Sequence, residues 1–172
     1  MATSLPLTFE PITEYEPGIL ARMLRESYAE VLAESPQYWS AEPAKWDAFD
    51  REVFANLGTI GRCVFVTCLA GEPIGFGSYD PRGVPEVGIV GHHCILPAYR
   101  GHGFGRRQLE EIAKRLSASG ARRIVATTGE QPFFEPARHA YLACGFLEYG
   151  RSPGGPDPRY GTLGYRRTLA EA

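Results

Sequence analysis

The chain has 172 residues, of which 44% are hydrophobic and 22% charged, and this is enough for one globular domain with a complete apolar core. Its 18 Lys+Arg and 20 Asp+Glu leave a formal net charge of -2, which excludes a bulk basic field for nucleic acid or an anionic membrane surface. We therefore expect a single domain over residues 1–172, no nucleic-acid or membrane partner, and local capture of any bound anion.

The cysteine pattern and the N-terminal sequence bear on the cellular compartment. Cys63, Cys68, Cys94 and Cys144 form neither a C-x-x-C pair nor the dense pattern of a disulfide scaffold. The first residues lack the basic segment and apolar run of a secretory signal. No apolar run approaches the roughly 20 residues needed to cross a bilayer. The sequence therefore predicts reduced thiols and a soluble, cytoplasmic protein.

The first half of the chain predicts a strand, two helices and a hairpin. Residues 7–12 alternate weakly, and apolar residues then recur at helical spacing over residues 20–32. After a break at 35–43, residues 46–57 resume that spacing, and Pro43 suits a first helical turn. Two β-rich runs over residues 62–80 surround a turn at residues 70–73, which predicts a hairpin.

The second half predicts four more strands and two helices. Strands are expected over 86–96, 122–130, 146–150 and 162–169, with a surface loop at 151–161. One helix carries the apolar stripe Leu109, Ile112, Ala113 and Leu116 and ends near Gly120, and a shorter helix over 136–144 is closed by Gly145. The order β-α-α-β-β-β-α-β-α-β-β predicts one α/β unit with a mixed sheet.

The segment from Arg100 to Arg107 places three alternate glycines directly in front of a helix. Glycines there permit a tight turn with positive φ and let a ligand touch the backbone. The first amides of a helix have no intrahelical partner, and the helix dipole adds about half a positive charge at this end. The segment therefore predicts a phosphate cradle, with a merely flexible loop as the alternative.

Other nucleotide and metal motifs do not fit the chain. A dinucleotide fingerprint needs G-x-G-x-x-G directly after a strand and an acid at the end of the next strand, whereas here the spacing is G-x-G-x-G and the next strand ends in Thr127 and Thr128. A nucleoside-triphosphate loop needs Gly-Lys-Ser/Thr. We expect no metal, because zinc-site spacing is missing among His92, His93, Cys94, His102 and His139.

Two motifs resemble those of the GCN5-related N-acetyltransferases. The acyl-CoA motif of that family, Arg/Gln-x-x-Gly-x-Gly/Ala, is matched from Arg100 to Gly105, after a V-x-P-like element at Ile95–Pro97. Its Tyr-x-x-x-Gly-Phe ending is matched from Tyr141 to Phe146. The order of predicted elements extends the resemblance over nearly the whole chain. It implies a mixed, mostly antiparallel sheet flanked by helices, of the acyl-CoA N-acyltransferase type.

The resemblance implies acetyl-CoA as co-substrate, with no metal. The pyrophosphate would lie on the amides of residues 101–106, and the pantetheine arm would pair with strand backbone as an added strand does. The implied cofactor-binding residues are His93, Cys94, Ile95, Arg100, Gly101, His102, Gly103, Phe104, Gly105 and Arg106.

The resemblance also implies direct attack of a primary amine on the thioester. Tyr141 would protonate the departing thiolate, a role that competes with simple packing of this tyrosine in the core. The positions where relatives often carry a base are Ile89 and Gly91, and neither is ionisable. The base stays unassigned among nearby candidates, which are Glu86, His92, His93 and Glu130.

The acceptor is expected to be a small amine, because no acidic or basic tract suggests a groove for a polypeptide. A protein N-terminus or lysine is an alternative acceptor, and a non-catalytic acyl-CoA sensor is an alternative function motivated by the missing base. The oligomeric state is open, with a homodimer as one option. The expected acceptor walls are Tyr28, Tyr38, Trp39, Trp46, Arg159 and Tyr160.

Overall fold

Seven strands in one sheet form the frame of the protein, as described for residues 5–169 by a computed structural model. The strands are β1 (Leu7–Pro11), β2 (Val64–Leu69), β3 (Glu72–Asp80), β4 (Gly88–Ile95), β5 (Arg123–Gly129), β6 (Leu147–Pro153) and β7 (Gly161–Thr168). Their order is β1-β2-β3-β4-β5-β7-β6. The β4–β5 pair is parallel and the other described pairs are antiparallel, which confirms the predicted mixed, mostly antiparallel sheet.

Helices cover both faces of this sheet. They are α1 (Ile19–Ser27), α2 (Ala29–Glu34), α3 (Pro36–Trp39), α4 (Glu42–Ala55), α5 (Phe104–Ala118) and α6 (Glu135–Ala143). One apolar cluster lies between the sheet and α1 and α4, and a second lies between the sheet and α5 and α6. The predicted stripe of α5 is buried in the second cluster. Within residues 5–169, no helix combines the length and apolarity needed to span a membrane.

The predicted continuous helix over residues 20–32 is wrong in one respect, because the chain breaks it at Tyr28. In an unbroken helix the carbonyl of Ser27 would accept a hydrogen bond from the fourth residue ahead. Here Nη2 of Arg100 donates to that carbonyl oxygen at 2.8 Å. The apolar periodicity runs through the break because Leu24 and Val31 are both buried. The segment expected to be irregular after residue 34 also contains the short helix α3.

The loop predicted at 151–161 is shorter in the structure. β6 continues to Pro153, so the connection to β7 spans residues 154–160. β6 reaches further because residues 151–153 pair with Gly161 to Leu163 of β7. The remaining elements occur in the predicted order.

The parallel strands β4 and β5 are paired at one end only. Their register contains Gly88 opposite Ile124 and Ile89 opposite Val125, and no further pair among the described residues. Just beyond, the β3–β4 register slips between Gly77 and Tyr79, which places an extra residue of β4 at Gly91–His92 as a β-bulge. The sheet therefore opens from Val90 onward, and the C-terminal half of β4 has an unpaired edge.

Glycine is required inside this bulge. A Cβ at Gly91 would come within 2.4 Å of the Ser78 hydroxyl oxygen, far inside van der Waals contact. The hydroxyl of Ser78 in turn donates to the backbone carbonyl of His92. The two strands can therefore approach this closely only because residue 91 has no side chain.

A buried carboxylate joins helix α4 to the start of α1. Asp50 is 3% exposed, and its oxygens accept hydrogen bonds from the backbone N–H groups of Gly18 at 2.7 Å, Leu20 at 2.9 Å and Ala21 at 3.3 Å. The first N–H groups of a helix have no partner within it. Asp50 therefore caps α1 from a distant part of the chain, with a charge that suits the positive end of the helix dipole.

We predict that Asp50→Ala lowers the free energy of unfolding by about 3 kcal/mol, because it leaves several buried N–H groups without an acceptor. Asp47→Ala is the matched control, since Asp47 lies one turn earlier on α4 and makes an exposed ion pair with Arg25. That variant should lose less than about 1 kcal/mol. Urea denaturation of both measures the difference, and equal losses would contradict the capping role.

Candidate functional site

The opening of the sheet contains a cavity of about 420 Å³. Its floor is the end of β4, one wall is the loop before α5 and the start of that helix, and the other wall is α6 with the turn before it. The residues that line it on the α1 side are Ser27 and Tyr28. Its remaining lining residues are His93, Cys94, Ile95, Tyr99, Arg100, Gly101, Gly103, Phe104, Gly105, Arg106, Phe133, Phe134, Pro136, Ala137, His139, Ala140 and Ala143.

The structure gathers the predicted cofactor-binding residues around this cavity, with one exception. His93 to Ile95 form its floor, and residues 100–106 line its wall apart from His102. The His102 ring packs 5.9 Å from the ring of Phe104. His102 is exposed, so its side chain belongs to the outer surface of the loop.

The glycine loop presents free amides to the cavity. Gly101 and Gly103 both have φ of +81°, a conformation that other residues adopt only with strain. Helix α5 starts at Phe104, and its first internal bond runs from the Arg107 N–H to the Gly103 carbonyl at 3.2 Å. The N–H groups of residues 104–106 therefore have no intrahelical acceptor. This arrangement can bind an anion such as a phosphate.

The unpaired edge of β4 offers a second set of backbone groups. The Leu96 N–H donates to the Ile74 carbonyl at 2.7 Å, so the pair of Ile95 with Gly75 is a non-hydrogen-bonded one. By the alternation of an antiparallel ladder, the N–H and C=O groups of His93 and Ile95 point away from β3. The N–H and C=O groups of His93 and the N–H of Ile95 face the opening, where a ligand carrying amides can pair with them as an added strand. The C=O of Ile95 accepts a hydrogen bond from Nε of Arg100 instead.

Arg100 fastens the glycine loop to the rest of the domain. Its Nε donates to the Ile95 carbonyl at 3.0 Å, and its Nη2 donates to Ser27 across 73 residues of sequence. The guanidinium carbon also lies 5.8 Å from the centre of the Phe133 ring. One side chain thus connects the end of β4, the end of α1 and the turn before α6, and it borders the cavity while doing so.

The histidine on the cavity floor is held by a buried glutamine. Nε2 of Gln108 lies 2.7 Å from Nδ1 of His93 and 2.9 Å from the Phe76 carbonyl oxygen. The hydroxyl of Thr67 donates to Oε1 of the same amide. Burial lowers the pKa of His93 from 6.5 to about 4, because the charged imidazolium is poorly solvated there. His93 is therefore neutral at physiological pH.

Tyr141 lies behind the cavity wall and is absent from the lining residues, although its neighbours Ala140 and Ala143 are present. Its ring stacks on Tyr165 with centres 5.2 Å apart and lies 6.4 Å from the His93 ring. It is 4% exposed, and burial raises the pKa of its phenol above the usual range. The phenol is therefore neutral at every ordinary pH.

The candidate bases are not equivalent in the structure. Glu86 forms an exposed pair with Arg122, and Glu130 is bound by Arg151 and by the N–H of Gly161. The ring of His92 lies against Phe49 on the α4 side of the sheet, with centres 4.5 Å apart. None of these three residues lines the cavity. Among the residues that do line it, within 5–169, none is an aspartate or a glutamate.

The residues expected to border the acceptor amine form two separate groups in the structure. Tyr28 is the centre of an aromatic cluster whose ring centres lie 5.2 Å from Trp46, 5.7 Å from Trp39 and 5.6 Å from Phe133. Arg159 binds the buried Asp157 and reaches Ser35 at 3.3 Å, with its guanidinium 5.0 Å from the Tyr38 ring centre. The second group therefore bridges the β6–β7 loop and α3.

Two features of the site escaped prediction from sequence. Phe133 and Phe134 line the cavity, but their only signal was a position just after a strand. Gln108 is fully buried, and its spacing of four residues before Ile112 places it on the buried face of α5. A polar residue in that apolar stripe was a detectable signal, since buried polar groups are nearly always hydrogen-bonded.

Within residues 5–169, no group of three His, Cys, Asp or Glu side chains could hold a metal ion.

Comparison with known proteins places this geometry in a family. Residues 23–146 match the model of the acetyltransferase (GNAT) family. No curated protein matches the chain. The solved structure of yncA from Salmonella typhimurium with its cofactor acetyl-CoA is 19% identical, with a TM-score of 0.70 over 99% of this chain and 96% of that chain.

Two further solved structures share the fold at similar identity. A protein of Acinetobacter baylyi ADP1 is 18% identical, with a TM-score of 0.73 over 97% of this chain and 95% of that chain. A chain of the NatC complex bound to Gag peptide and CoA is 15% identical, with a TM-score of 0.67 over 96% of this chain and 100% of that chain. These likenesses show a common fold.

We predict that Arg100→Lys lowers the free energy of unfolding by about 1 to 2 kcal/mol, since lysine lacks the fork that reaches two carbonyls at once. Amide hydrogen exchange in residues 101–106 should accelerate more than exchange in the strands. Arg107→Lys, an exposed change in the first turn of α5, is the control and should leave both quantities nearly unchanged. Unchanged exchange in Arg100→Lys would show that the loop does not depend on this anchor.

Proposed function

This chain is a member of the acetyltransferase (GNAT) family, and on that premise we propose that it transfers the acetyl group of acetyl-CoA to a primary amine of a small molecule. The observation that carries the proposal is the cavity in the sheet opening, which is bordered by the glycine loop on one side and by free strand backbone on the other. Acetyl-CoA carries both a pyrophosphate and an arm with amides, so its chemistry matches both sets of groups.

The fit to acetyl-CoA follows from the positions of these groups. The amides of residues 104–106 would hold the pyrophosphate, with Arg106 beside them. The backbone of His93 and the N–H of Ile95 would pair with the pantetheine amides. The solved relatives with acetyl-CoA or CoA bound support this choice of ligand.

Acetyl-CoA would supply the activated acetyl carbon, and the residues of this chain would position it and manage protons. The amine nitrogen forms a bond to that carbon, the carbon–sulfur bond breaks, and the sulfur leaves with the electron pair and takes up a proton. Tyr141 is our candidate for the donor of that proton. The amine must also lose a proton, and we propose that water accepts it, because no carboxylate lines the described cavity.

Support for a small acceptor comes from the bridge between Arg159 and the residues Ser35 and Tyr38. It joins the β6–β7 loop to α3, and a polypeptide passing between them would have to break it. The aromatic residues Tyr28, Phe133 and Phe134 line the cavity and suit the apolar part of a small amine.

The alternative is an acyl-CoA sensor without turnover, motivated by the lack of an ionisable residue at Ile89 and Gly91. A panel of amines that includes small aromatic amines, polyamines and a peptide with a free N-terminus separates the possibilities. Release of CoA with a small amine supports the proposal, and release only with the peptide supports a protein acetyltransferase. Binding of acetyl-CoA without release above the hydrolysis background supports the sensor.

The cradle is tested by Gly103→Glu. A glutamate there puts negative charge and bulk at the proposed pyrophosphate position, so acetyl-CoA affinity measured by calorimetry should fall on the order of 100-fold. Gly71→Glu is the control, because Gly71 has φ of +85°, equally open surroundings and a place in the distant β2–β3 turn. Both variants carry similar backbone strain, so equal affinities would refute the cradle.

The role of Tyr141 is tested by Tyr141→Phe, which keeps the stacked ring and removes the phenolic oxygen. If Tyr141 donates the proton, the chemical step measured in single turnover should slow by about 100-fold to 10,000-fold in this variant, while acetyl-CoA affinity changes little. Tyr165→Phe is the control, because that ring stacks on Tyr141 and its hydroxyl bonds Glu148 instead. If Tyr141→Phe keeps more than about half of the wild-type rate, Tyr141 is a packing residue.

A further inference from the structure

The orientation of the Gln108 side chain is determined by its neighbours. Its Nε2 lies 2.9 Å from the carbonyl oxygen of Phe76 and 3.2 Å from that of Cys94. Carbonyl oxygens only accept hydrogen bonds, so the NH₂ end of the amide must face them. The opposite end accepts the hydroxyl proton of Thr67. A flipped amide would bring its own oxygen against two carbonyl oxygens.

This orientation determines the tautomer of His93. Nε2 of Gln108 lies 2.7 Å from Nδ1 of His93. The two N–H bonds of this NH₂ group are shared among Nδ1 and the two carbonyl oxygens, and the group accepts no hydrogen bond, so it can only donate toward Nδ1. Nδ1 must therefore carry a lone pair, so the proton of the neutral ring is on Nε2. Protonation of Nδ1 would set two donors against each other in a buried site. The same contact therefore also disfavours the imidazolium.

The free edge of the ring faces the cavity side. Gln108 is fully buried and occupies the Nδ1 edge, whereas His93 is only half-buried and borders the cavity. On α6 the titratable groups nearest the cavity are Tyr141, whose ring lies 6.4 Å from that of His93, and His139, and the arginines along the cavity are Arg100 and Arg106. None of these groups would stabilise a positive charge on His93.

We propose that His93 is a fixed neutral hydrogen-bond donor and not the general base, and that its Nε2–H binds the thioester carbonyl oxygen of acetyl-CoA, with Gln108 as the positioning residue. The second half of this proposal rests on the proposed function. Negative charge collects on that oxygen as the amine attacks, and a donor already in place stabilises it. His93 keeps its proton throughout, so the proton lost by the amine goes elsewhere.

The first test measures the tautomer in the free wild-type protein labelled with ¹⁵N-histidine, and it needs no activity. His93→Gln identifies the resonances of His93 by their disappearance. We expect a protonated Nε2, an unprotonated Nδ1 and no titration between about pH 5.5 and pH 9, because the imidazolium is destabilised. A proton on Nδ1, or titration near the ordinary value of about 6.5, would overturn the proposal.

The second test measures the carbonyl directly, with acetyl-CoA labelled with ¹³C at the acetyl carbonyl and bound to each variant. Infrared spectroscopy should show a lower carbonyl stretching frequency with wild type than with His93→Leu, since a hydrogen bond weakens the C=O bond. His93→Gln retains an N–H donor near the Nε2 position and should keep much of the shift. Equal frequencies in wild type and His93→Leu would refute the contact, whether or not the protein turns over.

Turnover separates a donor from a packing residue. With a competent amine, His93→Leu should lower kcat by about 100-fold, and His93→Gln should stay within about tenfold of wild type. Acetyl-CoA affinity by calorimetry should change little in either variant. A wild-type kcat in His93→Leu, or equal losses in both variants, would contradict a donor role. If the wild type acetylates no amine in the panel, the proposed function fails, and the spectroscopic tests still decide the state of His93.

Discussion

The partial pairing of β4 with β5 is the constraint on which the site depends. Two strands that run parallel and share only two paired positions must separate, and the bulge at Gly91–His92 turns the end of β4 away from its neighbour. Separation exposes backbone groups that a complete sheet would have used internally, and it makes room for a cavity without removing any side chain from the core. The helices α5 and α6 then close the gap from one face, and α1 closes it from the other.

The opening of the sheet also explains why backbone groups and charged side chains have different roles in this protein. Backbone amides hold the expected anion and the amide-bearing arm, so the charged side chains are free for other tasks. Arg100 anchors the loop, and the carboxylates Asp50, Glu130 and Asp157 are engaged with amides or arginines away from the cavity. The cavity itself is lined by Arg100 and Arg106, by aromatic rings and by the neutral imidazole of His93. Two arginines in the lining favour an anionic ligand such as a thioester of a phosphorylated carrier.

Much of this arrangement was predictable from sequence because it depends on local chemistry. Alternate glycines before a helix, an apolar stripe of period 3.6 and a turn-rich hairpin each act within a few residues, and the corresponding elements occur where expected. The break at Tyr28 was not predictable, since the helix carbonyl of Ser27 is bound there by an arginine 73 residues away in sequence. The locations of Phe133 and Phe134 likewise depend on where β5 ends relative to α1. Gln108 was predictable in part. A polar residue in the apolar stripe of α5 can be recognised from sequence, but its hydrogen-bond partners come from three strands and cannot.

The anchoring of the glycine loop by Arg100 has a consequence for the order of folding. The loop, the end of β4 and the end of α1 are joined by one guanidinium, and the contact with α1 closes a long stretch of chain. Contacts of high sequence separation form late, because the entropy of closing the intervening chain is lost before the contact contributes. The local hairpin and α5 can therefore assemble early, while the amides of the loop reach their final directions only once α1 has docked. Ligand binding would then reach its full affinity only after the native state is complete. A chain lacking α1 would keep the glycine motif but not the native conformation of the loop.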